Sequence, residues 1–191
     1  MVWIYLILSY FIGCVMFGYL VIKLLYRKDI RQQGSGNVGA RNAGRVHGKK
    51  AFVATFLGDA FKGVIIILVG RYLHFSETIQ LLGLAIAILG HLWPVTLKFK
   101  GGKGISTFIG GIVAFQPLTA FVIVICFLIL YPPSKSFTLA GLGAFIAIPF
   151  FLLYQGYSGL ICSLASAIIL ILLLAQSEEI LQKLRKPKEK K

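Results

Sequence analysis

Acidic residues are scarce in this chain. Six Asp and Glu stand against 20 Lys and Arg in 191 residues, a formal net charge of +14. Histidine and cysteine are equally sparse, at three each, and no metal-ligand spacing joins them. Cys14, Cys126 and Cys162 each lie inside an apolar run, where they read as small core or lipid-facing residues rather than a disulfide framework. There is no G-x-S-x-G elbow, no H-x-x-x-x-D spacing and no G-x-x-x-x-G-K-[ST] loop. A Ser–His nucleophile and a nucleotide site are therefore unsupported. Polar stretches long enough to make a soluble domain are missing too. What is there instead is grease: 58% of the residues are hydrophobic, against about 45–50% in soluble domains, and the excess is gathered into long runs.

A charge of this sign first suggests nucleic acid. The cations argue otherwise, because they flank apolar segments instead of forming one face, and no nucleic-acid partner is expected. The chain reads as one all-α integral membrane domain, 1–191, resting on membrane lipid. No cleavable leader is expected: residues 2–26 have no basic residue before them and are too long for a signal core.

Six apolar stretches are visible, and the fourth, from 105 to 131, holds Gln116-Pro117 at its middle. Proline disfavours a continuous helix there. The distribution of positive charge decides whether the stretch crosses once or twice. With the N-terminus outside and two crossings, 18 of the 20 Lys and Arg fall on the cytoplasmic side. One crossing would put Lys135 and the basic tail opposite the basic loops. The expectation is seven transmembrane helices at about 2–26, 51–72, 78–97, 105–116, 118–131, 137–154 and 157–175. The C-terminus, with a basic tail over 176–191, is then cytoplasmic.

Two segments break the hydrophobic pattern, residues 34–45 (GSGNVGARNAGR) and 98–104 (KFKGGKG). Glycines let backbone N–H groups converge on an anion, and Lys and Arg supply the matching charge. In the first, Ser35, Gly36, Asn37, Asn42 and Arg45 read as a phosphate cradle of hydroxyl, amide and guanidinium donors; the plain alternative is a polar turn between helices. In the second, Lys100, Gly101, Gly102, Lys103 and Gly104 stand just before a helix starting near Ile105. There a positive helix end lies beside two ammonium groups, and Ser106 and Thr107 could add hydroxyls. Asp59 and Lys62 are three apart on one helix face and read as a structural ion pair inside the membrane. His91 follows Gly90 near the inner end of the third span. It either satisfies a nearby carbonyl or joins the phosphate-binding groups. His47 and His74 have no metal-ligand neighbour.

Taken in order, residues 34–45, then Gly58-Asp59-Ala60-Phe61-Lys62-Gly63, then Gly90-His91-Leu92-Trp93-Pro94 leading into 98–104, resemble the bacterial acyl-phosphate:glycerol-3-phosphate acyltransferases, the PlsY family. The likeness covers about residues 13–117 in order and spacing, and the whole chain in length and span count. The resemblance implies a multi-pass enzyme of the bacterial plasma membrane. It would transfer a fatty acyl group from acyl phosphate to the sn-1 hydroxyl of glycerol 3-phosphate, giving lysophosphatidic acid for phospholipid synthesis. It implies no cofactor and no metal, and a possible partner in the enzyme that makes acyl phosphate. By the same resemblance Ser35, Asn37 and Arg45 hold glycerol 3-phosphate, while Lys103 with the Gly101 and Gly102 backbone holds phosphate near the carbonyl. Ser35, Arg45 and Lys103 are thus the expected catalytic residues.

The chain departs from the family late. Thr138 stands near the family's usual serine after span five, and Gln176 and Glu179 stand where the family has His and Asn. Arg41 replaces a usual threonine. A divergent paralogue that binds acyl phosphate or lipid-synthesis partners with weak catalysis is the alternative reading. A small phosphate-compound transporter, a third reading, would need inverted repeats, and none is visible.

Overall fold

The computed structural model describes residues 1–177, 180 and 181, and among these every regular element is helical. The order is α1 (Val2–Gly13), α2 (Phe17–Tyr26), α3 (Ala40–Tyr72), α4 (Glu77–Leu92), α5 (Ile105–Phe115), α6 (Thr119–Ser134), α7 (Phe137–Tyr154) and α8 (Gly159–Leu174). Short 3-10 turns occupy Ile30–Gln32 and Val95–Leu97. Four segments are long and apolar enough to cross a bilayer: Val2–Tyr26, Ala40–Tyr72, Glu77–Leu97 and Phe137–Tyr154. Ile105–Phe115, Thr119–Ser134 and Gly159–Leu174 are apolar but shorter. The helices group into two compact units, Met1–Pro117 and Leu118–Lys191.

Three of the departures from the sequence expectation have a local physical reason, while α6 simply runs three residues past the expected 131. The stretch 2–26 is two helices, because α1 ends at Gly13 and Met16 is extended before α2 begins. Helix α3 starts eleven residues earlier than the expected 51, at Ala40, and bends at Gly48, whose φ of 80° and ψ of −174° no α-helix allows. So residues 40–47, read from sequence as loop, form a short helix ahead of the span. The stretch 78–97 ends its α-helix at Leu92, and Pro94 leads a 3-10 turn instead. The break at Gln116-Pro117 lies between α5 and α6, where the proline was expected to put it.

Within the first unit, helices meet at backbone distance through glycine. A methyl on Gly63 would run into the Thr107 carbonyl, and one on Gly110 into the Ala60 carbonyl, so α3 and α5 cross with almost no side chain between them. Helices α1 and α4 meet in the same way at Gly13 and Gly90. Tyr5 ties the first helix to the third by donating its hydroxyl to the Ile66 carbonyl at 2.9 Å. In the second unit α7 packs against both α6 and α8. Ser136 and Ser158 cap α7 and α8 by accepting N–H bonds from Leu139 and Ile161.

Candidate active site

The first glycine-rich segment is shaped by its own side chains. Asp29 accepts the Arg31 N–H at 3.0 Å and starts the 3-10 turn, while the Arg31 guanidinium doubly clasps the same carboxylate, with its shortest contact at 2.7 Å. Those hydrogen bonds hold the Asp29 carboxyl below the usual carboxylate range, so the clasp persists at neutral pH and loosens only in acid. Gly34 and Gly36 then take left-handed backbone (φ 58° and 73°). Asn42, buried in the first turn of α3, reaches back into the loop: its Oδ1 accepts from Ser35 N–H at 2.9 Å, and its Nδ2 donates to the Gln33 and Asn37 carbonyls at 2.9 Å each. Asn37 closes its own turn by accepting Gly39 N–H at 2.8 Å. Both amides are therefore committed to the shape of the loop. Ser35, Arg41 and Arg45 are exposed, and the two arginines lie four apart on one face of the short helix. The bend at Gly48 is braced by His47, which donates from Nε2 to Gln33 Oε1 at 2.8 Å and packs its ring 4.1 Å from that of Tyr26.

The second segment folds back onto the end of α4. Gly101 N–H donates to the Leu92 carbonyl at 3.2 Å, and Gly102 N–H to the His91 carbonyl at 3.0 Å. Both glycines press on α4: a methyl on Gly101 would strike the His91 carbonyl, and one on Gly102 the ring nitrogen Nε2. The pair thus serves close approach to His91. Lys98 and Phe99 carry positive φ (54° and 61°) without being glycine, a strained entry into the turn. Gly104, also left-handed at φ 74°, precedes α5. The first N–H groups of α5, orphaned by helix geometry, point back toward Lys103.

The two segments come together through apolar side chains beneath them. Leu97, which leads into the second, shares one buried cluster with Val38 and Ala43 of the first, with Ile30 just ahead of it, and with Met16 and Ile22 of the first apolar stretch. Thr96 adds a hydroxyl bond to the Cys14 carbonyl at 3.0 Å.

Below this lies an ionic cluster within the helices. Lys62 Nζ is 3.1 Å from Asp59 Oδ1 and 2.9 Å from His91 Nδ1, and it donates to the carbonyls of Gly13 at 3.0 Å and Val15 at 2.7 Å. Asp59 Oδ1 accepts Phe17 N–H at 3.4 Å. The broken first span thus turns the carbonyl end of α1 to an ammonium and the N–H end of α2 to a carboxylate, each the complement of the helix dipole. All three charged or polar side chains are buried, with Asp59 at 1%, Lys62 at 2% and His91 at 2% exposure.

Comparison with known proteins agrees across the chain. The family model described as glycerol-3-phosphate acyltransferase matches residues 3–186. The chain belongs to the glycerol-3-phosphate acyltransferase family. Glycerol-3-phosphate acyltransferase 1 of Bacillus cereus (strain ATCC 14579) is 46% identical over 179 residues, covering 94% of this chain and 98% of that one. Glycerol-3-phosphate acyltransferase of Finegoldia magna is 41% identical over 168 residues, covering 86% and 84%. Among solved structures, PlsY, an integral membrane glycerol 3-phosphate acyltransferase, matches in its glycerol 3-phosphate form with a TM-score of 0.86 and 31% identity. That match covers 96% of this chain and 92% of that chain. Its lysophosphatidic acid form gives a TM-score of 0.85 at 30% identity. This family membership makes the chain an acyltransferase of lipid synthesis with a membrane location.

The late departures lie in the second unit. Thr138 is buried in the first turn of α7, and Gln176 is buried with its Nε2 donating to the Leu172 carbonyl at 3.2 Å. Glu179 lies outside the described residues, as does the basic tail from 182 onward. Sequence reasoning missed the ammonium's role at the break of the first span. The available signal was Gly13 followed by Gly18 in a run that otherwise reads as one helix.

Proposed function

We propose that this chain transfers a fatty acyl group from acyl phosphate to the sn-1 hydroxyl of glycerol 3-phosphate at the cytoplasmic face of the bacterial plasma membrane. In this reading it crosses seven times, N-terminus outside and C-terminus inside, with the three shorter apolar helices also spanning. The observation that carries the proposal is the shared apolar cluster, which joins Val38 and Ala43 of the first glycine-rich segment to Leu97, the residue that leads into the second. Two phosphates must be held together for this reaction, and one segment serves each. Ser35, its N–H held by Asn42, and Arg45 face the glycerol 3-phosphate, with Asn37 shaping the same loop. Lys100, Lys103 and the N-terminal end of α5 face the donor phosphate, with Gly101, Gly102 and Gly104 shaping the turn.

Acyl phosphate is a mixed anhydride, already activated, so no protein nucleophile is needed. The sn-1 oxygen attacks the carbonyl carbon, the bond from that carbon to the phosphate oxygen breaks, and inorganic phosphate leaves with the hydroxyl proton. The protein contributes proximity and stabilisation of the developing charge. Purified protein given palmitoyl phosphate and labelled glycerol 3-phosphate should form lysophosphatidic acid and release phosphate in equal amounts. Product at or below the level without protein would overturn the proposal.

Asn42→Ala tests the loop. It strips the partner from Ser35 N–H and from two carbonyls, at about 1–3 kcal/mol for groups left unsatisfied. We expect the KM for glycerol 3-phosphate to rise about tenfold, with a smaller change in the KM for palmitoyl phosphate. Equal shifts in both would remove Asn42 from the acceptor side.

A further inference from the structure

We infer that His91 is a positioning residue, a wedge between the buried Lys62 and the Gly101-Gly102 turn that sets where Lys103 stands. The inference rests on the reading that Lys103 faces the donor phosphate. An ammonium has no lone pair, so at 2.9 Å Lys62 must donate and His91 Nδ1 must accept. That fixes the tautomer, with the proton on Nε2, and it fixes the ring plane. Thr107 Oγ1, from the first turn of α5, lies 3.4 Å from the same Nδ1. Asp59 Oδ1 stands 3.8 Å from Nδ1, beside the ammonium.

The far edge of the ring meets the turn. Nε2 lies so close to Gly102 that a single methyl there would collide with it, and the His91 carbonyl receives the Gly102 N–H at 3.0 Å. Lys103 is the next residue. The ring is 2% exposed and sits behind the turn, among α3, α4 and α5, rather than on its solvent side. Side chain and backbone of one histidine therefore register the turn against an ion pair, two carbonyls and the first turn of α5. No phosphate need touch it.

The decisive experiment pairs substitutions on both sides of the contact, assayed with palmitoyl phosphate and glycerol 3-phosphate in the purified full chain. Gly102→Ala pushes the turn off the ring, and a displacement of about 1 Å lowers kcat about 100-fold. His91→Asn keeps an acceptor near the Nδ1 position but withdraws the distal edge, and we expect a loss of about tenfold in kcat. Together the two should be more active than Gly102→Ala alone, because the shorter side chain leaves room for the methyl. Losses that simply multiply in the double variant would overturn the inference. Should Gly102→Ala fail to fold, His91→Asn and His91→Gln decide it. Glutamine reaches the Nε2 position but offers Lys62 nothing at Nδ1. Positioning predicts that both variants lose kcat with the KM for palmitoyl phosphate within about threefold of the parent. Direct phosphate binding predicts a raised KM in His91→Asn, restored by His91→Gln, and would refute the wedge. An inactive parent protein would instead count against the acyl-transfer reading.

Discussion

Replacing Lys103 with alanine is expected to reduce kcat for lysophosphatidic acid formation by about 10²–10³-fold, the scale measured when one stabilising donor is removed from a developing charge. The expectation follows from where the residue stands. Lys103 is half-buried between Gly102, which is pinned to the His91 carbonyl, and Gly104, whose left-handed backbone starts α5. A helix N-terminus already favours an anion there, and the ammonium adds a full charge where water is partly excluded. With no protein nucleophile in the proposed reaction, charge on the carbonyl and leaving phosphate falls to Lys103, Lys100 and the end of α5, and Lys103 stands nearest that helix end. Lys103→Arg should recover only part of the rate, since a planar fork does not occupy the space of a compact ammonium. The check is single-turnover formation of labelled product from palmitoyl phosphate beside the unfolding temperature of each variant. An unchanged unfolding temperature with a rate within about threefold of the parent would show that Lys103 lies outside the chemistry.

The parts of this site that were legible in sequence are those whose physics is local. Glycine clustered with polar and cationic residues marks turns, and Gly34, Gly36 and Gly104 take the left-handed backbone, whereas Gly44, Gly101 and Gly102 serve close approach instead. Proline at 117 marks the end of α5 because ring geometry forbids a straight continuation. Asp59 and Lys62 could be paired from their spacing alone, since residues three apart share a helix face. What stayed hidden depends on partners far along the chain. Residues 14–16 are as apolar as their surroundings, so apart from Gly13 and Gly18 nothing local announces a break. Its carbonyls are satisfied by Lys62, 47 residues later in the case of Val15. The short helix at 40–47 was hidden for a different reason. One glycine with φ of 80° joins it to the span, and its Gly44 leaves room for Phe52 to fold beneath it. His91 was ambiguous until α3 placed an ammonium beside it.

The Asp59–Lys62 pair supplies the second large effect, this time on stability. Lys62→Met should destabilise the protein by about 3–5 kcal/mol, because it leaves a carboxylate buried without its counter-charge. It also strips the donor from the Gly13 and Val15 carbonyls at the end of α1. For a chain of this length that corresponds to a fall in unfolding temperature of about 10 °C or more in detergent. Asp59→Asn should be milder. The ammonium keeps two carbonyls and the His91 ring, and an amide oxygen can still accept from Phe17 N–H. The second carboxylate oxygen, Oδ2, has no hydrogen-bond partner among the described residues, so replacing it with an amide nitrogen breaks no existing bond. The double variant Asp59→Asn with Lys62→Met separates charge from packing. Burial of an unpaired charge is the dominant cost in Lys62→Met, and the second substitution removes that charge, so the double variant should be more stable than Lys62→Met alone. If the two losses add instead, the harm comes from the orphaned carbonyls at the break, and the carboxylate is a bystander. Activity should not return with stability in the double variant, because His91 Nδ1 would still lack the ammonium that orients it.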